Sequence, residues 1–273
     1  FLAKPYFIYL QSSTFFYTPK WSPDGQKILY TDKRLNLFYI DISAAERNPV
    51  LVDTDSYDHP DRTLDPVWAP DSQWIAYTKR LPSHLRAVFL YDVATATTYQ
   101  ITDGMSDAIS ACFSLDGKYL FFAASTNYGL NTGWLDMSSY ERPIDRSLYV
   151  MVLNKEERSP FFPESDEEEE KTEEKKTEEQ KTEEKKTEEQ KAEGSEGQAK
   201  KEAVKVKIDL ADLDQRILAL PVPARAYHTL QAGADGKLFY LRTVAGQEGD
   251  TLNYFDLKTR KSEVFLDHVT AYW

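Results

Sequence analysis

The sequence predicts an all-β fold, a β-propeller of four-stranded antiparallel blades with about four blades present, and three observations predict it. A phrase recurs: Trp21-Ser22-Pro23-Asp24-Gly25, Trp68-Ala69-Pro70-Asp71-Ser72 and Phe113-Ser114-Leu115-Asp116-Gly117, with a weaker copy at Ala234-Asp235-Gly236-Lys237. The three strong copies return about every 46 residues, a blade length. Each is followed at once by a short aromatic and β-branched run of strand length.

Within each phrase, proline presets φ, aspartate caps the backbone with its side chain and glycine supplies positive φ, so each copy reads as strand, tight turn, strand. The second strands are then Ile28 to Thr31, Trp74 to Thr78, Tyr119 to Phe122 and Leu238 to Leu241. Third strands end on an acid, at Asp41, Asp92 and Asp256, and in the third unit the strand is Ser147 to Leu153. Fourth strands fit Val50 to Val52, Thr98 to Ile101 and Glu263 to Leu266, with Arg216 to Leu220 in the third unit. Trp21, Trp68 and Phe113 hold one blade position and are expected to form a core layer, each buried aromatic contributing about 1.5 to 3 kcal/mol. An ordinary β-sandwich is the competing architecture, and the regular spacing argues against it.

The chain has 273 residues, 41% hydrophobic and 13% aromatic, enough for stacked sheet cores. It opens inside an expected strand, Tyr6 to Leu10, and closes on Trp273 where a next turn would fall, so both ends read as cut from a longer protein. No run of eighteen apolar residues occurs, and Phe1-Leu2-Ala3-Lys4 lacks a signal-peptide pattern. The single cysteine, Cys112, excludes an internal disulfide and is expected to be a buried small hydrophobe.

Three segments follow: blades over 1–153, a low-complexity acidic insert over 154–204, and blades again over 205–273. From Glu164 to Glu202 the insert carries 17 acidic and 9 basic residues, most of the net charge of −12. Its five-residue unit, Thr172-Glu173-Glu174-Lys175-Lys176, holds no large apolar side chain and presents no constant helical face. Ordering costs about 1 to 2 kcal/mol per residue in backbone entropy with nothing buried in return, so disorder is expected. The insert lies between the third and fourth strands of its blade, which places it on the side of the Pro-Asp-Gly turns.

The opposite face carries the richer loops: Asp32 to Asn36, Lys79 to Arg86, and a long one from Thr126 to Asp145 with Tyr128, Trp134, Met137 and Tyr140. Arg34, Asn36, Arg80, His84, Arg86, Trp134 and Tyr140 are the candidate contacts for a peptide carboxylate or a neighbouring domain. A dense basic stripe is missing, which speaks against nucleic acid.

No Gly-x-Ser-x-Gly elbow, His-Glu-x-x-His, phosphate loop or dinucleotide fingerprint occurs, and His59, His84, His228 and His268 are scattered. No catalytic residue, cofactor or metal is therefore assigned. Asp53, Asp55, Asp58, His59, Asp61 and Asp65 could offer calcium oxygens, but without an EF-hand register they read as a solvated connection between blades.

Several words resemble bacterial tricorn proteases: Trp21-Ser22-Pro23-Asp24-Gly25, Tyr30-Thr31-Asp32-Lys33-Arg34-Leu35-Asn36-Leu37, Tyr77-Thr78-Lys79-Arg80-Leu81-Pro82-Ser83-His84, Thr132-Gly133-Trp134-Leu135-Asp136-Met137-Ser138-Ser139-Tyr140 and Asp214-Gln215-Arg216-Ile217. The Pro-Asp-Gly repeat alone is shared with TolB-like propellers. The resemblance implies the second of two propellers, with six or seven blades, in a large homo-oligomeric serine peptidase. It implies a PDZ-like module and catalytic core elsewhere in the parent chain, peptide substrates, no membrane or nucleic-acid partner, and a cytoplasmic location with the periplasm as alternative. None of the family's catalytic residues falls on this sequence, so the expected role is gating or channelling peptides. A TolB-like protein-binding propeller is the alternative.

Overall fold

In the computed structural model, residues 14–56, 64–128, 144–162 and 204–272 are described. The chain divides into two compact units, Phe1–Arg158 with Val204–Trp273, and Ser159–Ala203. In the second unit the described stretch is a turn, with Phe162 N–H donating to the Ser159 carbonyl. The expected strand at Tyr6 to Leu10 and the acidic repeats fall outside the described residues.

Among the described residues, the first unit contains four sheets, each a meander of four antiparallel strands in chain order. Sheet 1 holds β1 (Phe16–Trp21), β2 (Lys27–Asp32), β3 (Asn36–Asp41) and β4 (Val50–Thr54). Sheet 2 holds β5 (Val67–Trp68), β6 (Trp74–Arg80), β7 (Arg86–Asp92) and β8 (Thr97–Gln100). Sheet 3 holds β9 (Asp107–Phe113), β10 (Tyr119–Ser125), β11 (Ser147–Val152) and β12 (Ile217–Ala219). Sheet 4 holds β13 (Tyr227–Ala232), β14 (Lys237–Arg242), β15 (Asp250–Asp256) and β16 (Lys261–Val269).

The repeated phrase builds its turn by side-chain capping. Ser22 Oγ donates to Asp24 Oδ1 at 2.5 Å, Asp24 Oδ1 accepts Gln26 N–H at 2.9 Å, and Ser22 Oγ accepts Lys27 N–H at 2.9 Å. Ser114 and Asp116 repeat the pattern with Lys118 and Tyr119. Gly25 and Gly117 sit at φ 67° and 72°, and Ser72 takes the same left-handed position at φ 60°. The acids ending the third strands are also caps: Asp41, Asp92 and Asp256 accept the N–H of Ser43, Ala94 and Lys258.

Sheet 2 is covered on both faces, which explains the nearly unbroken burial of β6 and β7. One face packs Trp68, Ile75, Tyr77 and Phe89 on Leu29, Leu37 and Tyr39 of sheet 1. The other packs Ala76, Val88 and Leu90 on Phe113, Leu120 and Phe122 of sheet 3. The first strands carry a further repeat, a bulge with a left-handed residue at Thr18, Ser110 and Thr229. Ser110 Oγ accepts Thr229 N–H at 3.1 Å, joining sheets 3 and 4.

Two expectations need correction. Trp68 and Phe113 are buried, but Trp21 is 60% exposed. Trp68 and Phe113 pack on the preceding sheet, Trp68 on Tyr39 with ring centroids 6.2 Å apart, and no described sheet precedes sheet 1. Asp53 and Asp55 are not a solvated connection. Asp53 accepts hydrogen bonds from Tyr77 Oη at 2.7 Å and Lys79 Nζ at 2.6 Å, and buried Asp55 accepts from Arg80 N–H. Asp58, His59 and Asp61 lie outside the described residues.

The chain leaves and re-enters sheet 3 beside the turns. Asp209 N–H donates to the Leu153 carbonyl, Lys207 pairs with Glu156, and Val206 N–H donates to Asp71 Oδ2 in the turn of sheet 2. Val206 is buried against Gly117, where an added Cβ would stand 2.7 Å from a valine methyl.

Candidate functional site on the loop face

A meander puts its second-to-third connections on the face opposite the Pro-Asp-Gly turns, and there Arg34, Arg80, Arg86, Arg146 and Arg242 stand. In sheet 1, buried Asp32 organises the turn by accepting Arg34 N–H, Asn36 N–H and Asn36 Nδ2 at 2.9 to 3.0 Å. Asn36 Oδ1 also accepts Thr54 Oγ1, so this side chain is occupied within the sheet. Arg34 is exposed.

In sheet 2 the expected long loop shrinks to Leu81–Leu85, because β6 runs through Arg80 and β7 begins at Arg86. His84 is exposed at its tip with φ 63°. Arg80 and Arg86, expected on a loop, are instead a directly opposed pair of strand residues, 3% and 6% exposed.

Arg86 grips Asp107, at the start of β9, side-on: Nε to Oδ1 at 2.8 Å and Nη2 to Oδ2 at 2.5 Å, with Arg86 N–H on Oδ1 at 3.1 Å. Such a bidentate pair is strong in a desolvated setting. Arg146 Nη2 reaches the same Oδ2 at 3.5 Å, and the Arg86 guanidinium lies 5.6 Å from the Tyr128 ring centroid. Burial, with Arg86 nearby, pulls the Arg146 pKa below its usual range against the pull of Asp107. In sheet 4, His228 Nε2 stands 3.2 Å from Asp250 Oδ2, with Thr229 Oγ1 2.9 Å from Nδ1. Burial lowers the His228 pKa although Asp250 raises it.

Trp134 and Tyr140 lie outside the described residues. The sequence reading missed Asp107 and Arg146. A charged residue opening an otherwise small and apolar strand, as Asp107 does in Asp107–Phe113, was the available signal. Among the described residues, no group of three metal-ligating side chains comes together. The anion this buried cationic cluster holds is the chain's own Asp107 carboxylate.

Residues 4–273 match the family model of the tricorn protease second beta propeller domain. A protein of Sulfurisphaera tokodaii described as the C-terminal subunit of a tricorn-like protease is 25% identical over 260 residues, covering 93% of this chain and 25% of that protein. A tricorn protease homolog of Saccharolobus solfataricus is 23% identical over 261 residues, 93% of this chain and 20% of that one. The chain thus spans a quarter or less of the curated relatives it matches. The crystal structure of the tricorn protease superposes with a TM-score of 0.60 at 15% identity, over 91% of this chain and 22% of that one. TolB of Acinetobacter baumannii gives 0.51 at 14% identity, over 93% and 44%, a likeness of fold alone.

Proposed function

Because the chain belongs to the tricorn protease family, as its second β-propeller domain, we propose that it is a non-catalytic segment of a tricorn-like serine peptidase that gates or channels peptides to a catalytic core outside this sequence. The family match over 4–273 carries the reading. The chemistry of the described residues supports it: caps, aromatic layers and a cationic face, a scaffold that admits or orients substrates. Peptide substrates and the companion PDZ-like and catalytic domains are its partners in this reading, with the parent a cytoplasmic homo-oligomer.

The isolated chain should not hydrolyse fluorogenic peptides, and hydrolysis abolished by a serine-directed inhibitor would overturn the non-catalytic role. Gating is tested on the longer parent protein with one peptide in two shapes, linear and closed into a compact ring by a disulfide. The linear form should be turned over and the compact form excluded. Equal turnover of both would leave a protein-binding propeller of TolB-like kind as the better reading.

A further inference from the structure

We propose that Arg80 is the anchor of a carboxylate-binding site between sheets 2 and 3. Arg86 shows what such a site looks like in this chain, since its Nε and Nη2 form one edge that takes the two oxygens of Asp107. In Arg80 the same two atoms, Nε and Nη2, are buried without a hydrogen-bond partner among the described residues, and its Nη1 alone is used, on the His84 carbonyl at 3.3 Å.

The two arginines stand opposite one another in the register of β6 and β7, so their side chains share a face. Alternation identifies it: Ile75 and Tyr77 pack toward sheet 1 and Ala76 toward sheet 3, which sends Arg80 toward sheet 3 with Arg86. There Asp107 serves Arg86 and Arg146, the Arg80 guanidinium makes no bond to a carboxylate among the described residues, and Arg146 Nε is also buried without a partner. Asp55 meets Arg80 at its backbone N–H, and its Oδ1 also takes Ser56 N–H. Like charges opposed on one face destabilise a sheet, and a buried charge is costly unless paired. A planar two-oxygen anion on the free edge of Arg80 relieves both, in the geometry Asp107 already adopts. A small free acid and a peptide C-terminus offer this same group.

The test does not depend on the channelling role, because acetate alone performs it. Replacing chloride by acetate at constant ionic strength should raise the melting temperature of the chain saturably, by about 4 °C or more well above Kd. The Arg80→Met variant should lose that rise. An unchanged melting temperature in the wild type, or a rise that survives in Arg80→Met, overturns the site. Should the variant fail to fold, the wild-type arginine Nε–H resonances decide: one must move saturably with acetate, and a spectrum unmoved by acetate refutes the proposal. Acetyl-trialanine with a free terminus competing with acetate where its amide does not identifies peptide ends as the source, and no competition by either identifies a small free acid.

Discussion

The backbone N–H of Asp24 donates to Oγ of Ser72 at 3.1 Å, so the turn of one blade is capped by a side chain from the turn of the next, 48 residues away. Ser72 stands where the other turns have glycine, is fully buried, and holds φ 60°. Its left-handed backbone is a local cost retained beside an inter-blade contact.

Ser72→Ala should therefore lower stability by about 0.5–1.5 kcal/mol, the net value of one hydrogen bond. Ser72→Gly loses the same bond but relieves the left-handed strain, so it should be the milder change. Urea denaturation of the two variants checks the order, and Ser72→Gly proving the more harmful would contradict it.

Trp68→Ala should cost about 3–5 kcal/mol, since the indole fills the seam between sheets 1 and 2 and its Nε1 donates to the Lys20 carbonyl. Trp21→Ala, at the same turn position in an exposed setting, should cost under about 1 kcal/mol in the same chain. Equal losses in chemical denaturation would show that the two tryptophans share an environment.

Asp107→Ala leaves Arg86 and Arg146 facing each other without their shared carboxylate, and should destabilise by about 3–5 kcal/mol. Thermal and chemical unfolding measure it. A change below about 1 kcal/mol would place the two arginines in solvent.

His228 supplies a pH dependence of known sign. Burial holds its folded pKa below the unfolded value of about 6.5, so on acidification the unfolded chain takes up the proton first. The contribution is present above the unfolded pKa and lost as pH falls through the folded one. His228→Asn should flatten the stability profile on the acid side of about pH 6.5, and an unchanged slope would exclude the histidine as its source.

Burial pushes the Cys112 thiol far up, which predicts no reaction with Ellman's reagent in the native chain. One thiol per chain should react in denaturant. Rapid native labelling would contradict the burial of β9.

What the sequence by itself determined is what neighbours along the chain decide: turns, strands and their grouping in fours. Ser22 and Asp24 close their turn through bonds to each other and to the N–H of Gln26 and Lys27, so their spacing carries the local instruction. Tertiary structure decided the rest. The same aromatic position is core in Trp68 and surface in Trp21, because burial depends on which sheet stands in front of it. Arg80 and Arg86 look like loop charges until β9 brings Asp107 to one of them and leaves the other with a free guanidinium edge. No local pattern encodes that meeting, since the stability of a buried charge depends on partners that only the packing of one blade on the next supplies.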